Sequence, residues 1–218
     1  MVTCQNCGEL SKDDIQIYSE SLRKQNFNIS PVFPVCKRCG VEVNASHKCS
    51  GGNIIVLNGT SGSGKSTIAE LLTDKSFLAI DGDCVIQAVR YKTGRKQYEW
   101  NELIDEIACE IDILSMIGKS IVLSHVVLPD DLDKYIDIFK SRSMKYSFFL
   151  LKPDYQTAVE RCRSRTCHGN ITPEYWIKHF HERLVFDDRV VIVDNTNMTA
   201  EETVKIILKK AGMDDESI

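Results

Sequence analysis

Nine consecutive residues, Gly59-Thr60-Ser61-Gly62-Ser63-Gly64-Lys65-Ser66-Thr67, constrain this chain more than any other stretch. They fill the pattern G-x-x-x-x-G-K-[ST] without a mismatch. A short apolar run, Ile54-Ile55-Val56-Leu57, precedes them, and a helical pattern, Ile68-Ala69-Glu70-Leu71-Leu72, follows. Glycines are needed where backbone N–H groups must turn inward around an anion, because side chains would block the approach and some positions want positive φ. The helix behind such a loop aims its positive dipole end at the same anion. Strand, loop and helix together predict a cradle for nucleotide phosphates made by residues 59–67. Lys65 is expected to reach the β- and γ-phosphates of ATP and Ser66 to ligate Mg²⁺.

From residue 53 onward the pattern alternates strand and helix. Near-continuous apolar runs at 54–58, 77–81, 120–126, 145–151 and 190–194 read as strands buried on both faces. Trp100, Leu103, Ile104, Ile107, Ile111, Leu114 and Ile117 make one apolar helical stripe with Gly118 past its end, and Leu132, Tyr135, Ile136 and Phe139 make another. Thr172-Pro173 reads as a helix N-cap followed by Pro at the first position. Thr199 and Glu202 form a capping box, and Gly212 closes the last helix. The fold class that follows is α/β, a P-loop NTPase-type parallel five-stranded sheet flanked by helices over residues 53–212. Its site is expected at the C-terminal ends of the strands.

Residues 1–50 read as a separate unit. Cys4-x-x-Cys7-Gly8 and Cys36-x-x-Cys39-Gly40 are two knuckles 28 residues apart, each placing two thiolates on one side of a tight turn. Four such sulfurs suit tetrahedral Zn²⁺, and in so small a unit the metal would supply much of the folding energy. Cys49 and His47 are competing ligands. Ile15-Gln16-Ile17-Tyr18 reads as a strand, and Ser30-Pro31-Val32-Phe33-Pro34 as a segment broken by proline. The unit resembles a zinc ribbon. Its charges nearly cancel, so it carries no electrostatic footprint for nucleic acid.

The formal net charge of the whole chain, −4, gives no general attraction to nucleic acid or membrane. No apolar run approaches a membrane span, and Met1-Val2-Thr3-Cys4-Gln5 lacks signal-peptide character, so a cytoplasmic location is the expectation. The nine cysteines then read as thiols or metal ligands.

The second strand ends Asp81-Gly82-Asp83, which brings two carboxylates to the catalytic edge beside the loop. A phosphotransferase can use one on the Mg²⁺ side and the other to take the acceptor's proton. Together with residues 59–66 and Arg161-x-x-x-Arg165, this resembles the small P-loop kinases of hydroxyl acceptors: gluconate kinase, adenylylsulfate kinase, shikimate kinase and the chloramphenicol phosphotransferase-like group. The resemblance covers residues 53–212. It implies Asp83 as acceptor base and Asp81 as its Mg²⁺-side partner. It also implies a mobile lid after the fourth helix, with Arg161 on the base or phosphates of the nucleotide and Arg165 clamping the transferring phosphoryl. Asn195 and Thr196, after the last strand, would touch the adenine. A lid zinc from Cys162, Cys167 and His168 is not expected, their spacing being irregular.

The third strand, Ile121-Val122-Leu123-Ser124-His125, lacks a terminal aspartate, which disfavours a motor or switch GTPase. His125 is a candidate for facing the acceptor. So is the basic, aromatic stretch Arg90-Tyr91-Lys92-Thr93-Gly94-Arg95-Lys96-Gln97-Tyr98-Glu99-Trp100, which could hold an anionic substrate or a nucleotide. The expected activity is direct in-line transfer from ATP to a hydroxyl of a small molecule. The rivals are a nucleoside or nucleotide kinase, a nucleic-acid 5′-end kinase, and a nucleotide-gated binding protein without catalysis. Acceptor identity and oligomeric state have no signature in the sequence.

Overall fold

The structure is a computed structural model that describes residues 2–11, 14–19, 32–39, 44–45, 52–116, 120–164 and 172–213. At the N-terminal end are β1 (Val2–Cys4), β2 (Gly8–Leu10), β3 (Ile15–Ser19), β4 (Val32–Cys36) and β5 (Asn44–Ala45). β1 pairs antiparallel with β2 and β5, and β3 pairs antiparallel with β4. Strand β4 runs through Pro34, which sits opposite Ile17. The proline does not break the segment, because in a two-stranded ribbon a residue lacking its N–H can turn that side outward.

The larger unit opens with β6 (Asn53–Asn58) and α1 (Lys65–Thr73). There follow β7 (Leu78–Asp81), α2 (Gly82–Thr93), α3 (Trp100–Met116) and β8 (Ile121–Ser124). After a single 3₁₀ turn come α4 (Leu132–Lys140), β9 (Lys145–Leu151), α5 (Tyr155–Ser164), α6 (Glu174–Arg183), β10 (Val190–Val193) and α7 (Ala200–Lys210). The five strands β6 to β10 form one sheet in the order β10-β9-β6-β8-β7, parallel throughout. The expected α/β class and all five expected strands are present. β4 also lies beside the edge strand β7, and β4 and β5 lie against α3.

Alternation along the strands builds two cores. Ile54, Val56, Ile80, Ile121, Leu123, Phe148 and Leu150 face α2, α3 and α4. Ile55, Leu57, Ala79, Val122, Phe149 and Leu151 face α1 and α7. Covering both faces explains why the strands are apolar without a break. The two helical stripes pack as their spacing predicts, with Leu103, Ile107, Ile111, Leu114, Leu132, Tyr135 and Phe139 buried. Ile117 and Gly118 lie outside the described residues. Thr199 and Glu202 do form a capping box on α7, and Gly212 adopts φ +67 beyond its end.

One capping expectation fails. Helix α6 starts one residue later than predicted, with Pro173 at the N-cap and no side-chain cap. The Thr172 hydroxyl instead lies 3.2 Å from Ser61 Oγ. A contact to the loop ahead of α1 thus takes the place of a local cap. Among the described residues, no helix is long and apolar enough to cross a membrane.

Candidate active site

Residues 59–64 turn between β6 and α1 at the C-terminal edge of the sheet, with Gly59, Gly62 and Gly64 all at positive φ. Gly62 also meets a close approach: a Cβ there would lie 2.0 Å from the Ala158 carbonyl oxygen of α5. The loop is therefore pressed against the helix that carries Arg161. Asn58 fixes its entrance. The Asn58 amide donates to the Val127 carbonyl at 2.7 Å, while its oxygen accepts from Gly59 N at 2.7 Å and Val127 N at 3.1 Å. Overhead, Thr60 Oγ1 donates to the Ile177 carbonyl of α6 at 3.1 Å. Lys65 Nζ donates to the Gly59 and Thr60 carbonyls at 2.7 and 3.1 Å. Ser66 is half-buried at the head of α1 and Thr67 is exposed. Positive-φ glycines, inward backbone and a lysine at the rim fit the phosphates of a nucleotide, with Ser66 placed to offer a hydroxyl to Mg²⁺.

Arg161 is not free on a lid. It lies within α5 and donates to the Asn195 and Thr196 carbonyls at 3.0 and 3.1 Å. Asn195 in turn donates to the Ser63 carbonyl at 3.0 Å. Arg161, Asn195 and Thr196 thus form one patch against the loop, as a nucleotide site would require. The Thr196 side chain serves the turn itself, donating to Asp194 and accepting from Asp154 N. Arg163 pairs with Glu174 on the surface. Arg165, Cys167 and His168 lie outside the described residues. Cys162 is buried in a small apolar cluster with Ala158, Val159 and Ile177.

On the other side of the loop, β7 delivers Asp81 and α2 delivers Asp83. Asp81 is buried and caps α2, its Oδ1 accepting from Asp83 N at 2.9 Å and Cys84 N at 3.3 Å. Burial, and then the charge of Asp83, pushes its carboxyl up to about 6 against the pull of those bonds and of Lys65. Asp83 is exposed in the first turn of α2. Gly82 between them is there for space: a Cβ would fall 2.1 Å from His125 Nδ1. His125, one residue beyond β8, is buried, and desolvation pushes it down to about 4, so it is neutral at physiological pH. Its ring stacks on Trp100 at 5.6 Å and lies 6.2 Å from Tyr135. Arg90 sits 5.5 Å over the Tyr98 ring, and Arg95 pairs with Glu102.

Asn58 and Tyr135 were not among the sequence-derived site residues, whereas Trp100 ends the basic, aromatic stretch expected to face the acceptor. Tyr135 fell within an apolar stripe, and spacing alone does not distinguish a core ring from one that lines a site. Asn58 had one usable signal: it is a polar residue ending a strand otherwise buried on both faces.

A second cluster lies at the N-terminal end. The sulfurs of Cys4, Cys7, Cys36 and Cys39 lie within 4.8 Å of one another. Four thiolates around Zn²⁺ at about 2.3 Å would be about 3.8 Å apart, so the set fits that ion. Cys7 is pushed up to about 12, first by its hydrogen bond with Cys39 and then by burial. Arg38 holds the second knuckle to the start of β3 by two bonds to Asp14, of 2.9 and 2.7 Å. His47 and Cys49 lie outside the described residues.

Residues 52–211 match the model of a family described as chloramphenicol phosphotransferase-like protein. No curated protein matches the chain significantly. Solved structures with the same fold include the tunicamycin resistance protein of Deinococcus radiodurans, 18% identical with a TM-score of 0.57 over 74% of this chain and 96% of that one. A sugar kinase from Janibacter sp. HTCC2649 is 19% identical with a TM-score of 0.56, over 74% of this chain and 95% of that one. A gluconokinase from Sinorhizobium meliloti 1021 is 20% identical with a TM-score of 0.52, over 76% and 94%.

Proposed function

The chain belongs to the chloramphenicol phosphotransferase-like family and is an ATP-dependent kinase; from that premise we propose that it moves the γ-phosphoryl of ATP directly onto a hydroxyl of a small molecule. The observation that carries this reading is the pairing of a complete phosphate loop with Asp83, exposed on the next helix and electrostatically linked to the same His125 that Lys65 reaches. A switch or a passive binder has no use for a solvent-facing carboxylate there, whereas a kinase does. Asp83 takes the proton of the attacking hydroxyl. Lys65 leaves its loop carbonyls for the phosphate oxygens and balances charge that develops in transfer. Asp81 caps α2 and so sets the position of Asp83. Arg161 closes the nucleotide side with Asn195 and Thr196, and Arg165 acts on the transferring group. Mg²⁺, held by Ser66 on the Asp81 side, would neutralise phosphate charge.

A screen of hydroxyl compounds with γ-labelled ATP tests the assignment. Wild-type protein should label an acceptor, and Lys65→Ala should lose at least ~10²-fold in rate while remaining folded, comparable to removal of one preorganised electrostatic contact. Equal turnover by the variant would sink the kinase reading.

The four cysteines hold a structural zinc in a unit spanning residues 1–50, and residues 53–212 form the kinase domain. Metal analysis of freshly purified chain should find one zinc, absent from Cys36→Ser; a metal-free wild type would overturn this.

A further inference from the structure

Three ring-borne polar atoms in the candidate site are buried and make no hydrogen bond: Trp100 Nε1, His125 Nε2 and Tyr135 Oη. They come from three places in the chain, namely the start of α3, the residue after β8, and α4. The rings nevertheless form one row, Trp100 to His125 at 5.6 Å and His125 to Tyr135 at 6.2 Å. Tyr135 is 0% exposed and His125 5% exposed. A buried polar atom left unpaired costs roughly 1–3 kcal/mol, and native folds tolerate few. Three on adjoining rings, next to the carboxylate that would take the acceptor's proton, point to one partner supplied from outside the chain.

The chemistry of the row restricts that partner. An indole N–H only donates, whereas a neutral imidazole and a phenol can each donate or accept. All three are uncharged at neutral pH. A hydroxyl, both donor and acceptor, satisfies every member. Against His125 an anion is poorly served, because Asp83 and Asp131 both act on that ring and, among the described residues, Lys65 is the one cation that does. Lys65 belongs to the nucleotide side, Lys134 is paired with Asp131, and Arg95 with Glu102. Arg90, a cation, lies over Tyr98 with its Nε also buried and unbonded, and is not among the charges that act on His125. We propose that the acceptor is an uncharged polyhydroxy compound, such as a sugar or a sugar-bearing nucleoside. It would bind with hydroxyls against Trp100, His125 and Tyr135, in preference to a phosphorylated or carboxylated one. This rests on the kinase reading above.

The test uses the full chain with two readouts. Glucose, ribose and uridine are compared with gluconate, glucose 6-phosphate and uridine 5′-phosphate as acceptors of label from ATP. Binding of the same probes is followed by fluorescence in a Trp176→Phe background, which leaves Trp100 the only tryptophan. A neutral probe should perturb Trp100 and be labelled at least tenfold more efficiently than its anionic counterpart. Tyr135→Phe should raise the KM for that probe about fivefold to tenfold, leave ATP affinity unchanged, and leave ligand-free thermal stability equal or higher, since it removes an unpaired hydroxyl. Perturbation or labelling confined to anionic probes, no perturbation by any neutral probe, or a Tyr135→Phe protein that is less stable with KM unchanged would each overturn the proposal. Neutral binding without transfer to any probe would overturn the row as an acceptor site while leaving the kinase assignment to the wider acceptor screen.

Discussion

The two halves of the active site are built in opposite ways. The nucleotide half is one continuous loop whose working groups are backbone amides, made available by positive-φ glycines, with Lys65 added at the rim. The proposed acceptor half is assembled from β7, α2, α3, α4 and the residue after β8, and the groups proposed to work there are side chains: Asp83, Trp100, His125 and Tyr135. Backbone chemistry needs a fixed local spacing, so it leaves a motif. Side-chain chemistry needs only a common destination, which the topology provides and no spacing records. A family can therefore keep the first half while the second changes with each acceptor.

The largest expected effect separates the halves. Asp83→Asn should lower turnover by roughly 10²–10⁴-fold, the usual worth of a general base, with ATP binding little changed. Arg161→Ala should do the reverse, weakening ATP binding about tenfold, because its partners Asn195 and Thr196 adjoin the phosphate loop. Equilibrium titration with ATP and single-turnover rates on both proteins measure the split. If the two gave the same profile, the division would be wrong.

A smaller effect should arise from the seam between them. Gly82→Ala would drive a Cβ into the His125 ring, 2.1 Å from Nδ1 and 2.7 Å from Cγ. Overpacking of this kind costs typically 1–3 kcal/mol. The ring lies against Trp100 and Tyr135, and its displacement would disturb that row, so the acceptor KM should rise while ATP affinity holds. Loss of ATP affinity instead would mean that the two halves are mechanically one.

This seam also marks how far the sequence could be read. The loop, Asp81-Gly82-Asp83, all five sheet strands and the four clustered cysteines were legible because each is a local pattern. Tyr135 was not, since it satisfies the helical period of a core stripe and does pack in the core. Its proposed second role depends on His125 arriving from β8, a contact set by strand order. Thr172 was misread for a related reason: its hydroxyl found Ser61, 111 residues away in sequence, in place of the backbone beside it. Arg161 was expected a turn back in the helix before a lid, on the strength of the kinase resemblance. The carbonyls of residues 195 and 196, which hold it, follow β10, the strand paired with the β9 that precedes its own helix.

The smallest effect concerns Asp81, where stability and catalysis pull apart. Its carboxyl is raised from an ordinary value near 3.8 to about 6, chiefly by burial and then by Asp83. A raised folded pKa means that the native state holds this proton more tightly than the unfolded chain. Between about 3.8 and 6 the native state therefore binds more protons, and stability falls as pH rises through that window and stays lower above it. Asn at this position keeps an oxygen able to accept from Asp83 N and Cys84 N, so the cap on α2 survives. Asp81→Asn should thus match the wild type near pH 4 and exceed it at pH 8 by about 2–3 kcal/mol, the gap opening across the same window. His125, depressed to about 4, adds its own slope below neutrality, but does so in both proteins and cancels from the difference. Urea unfolding at the two pH values measures the gap. A variant less stable at pH 8 would show that Lys65 and the helix N-terminus more than offset the cost of the buried charge. Asp81 would then hold the fold together as a carboxylate, the state proposed to face Mg²⁺, and the proposed acceptor half would be no more strained than the nucleotide half.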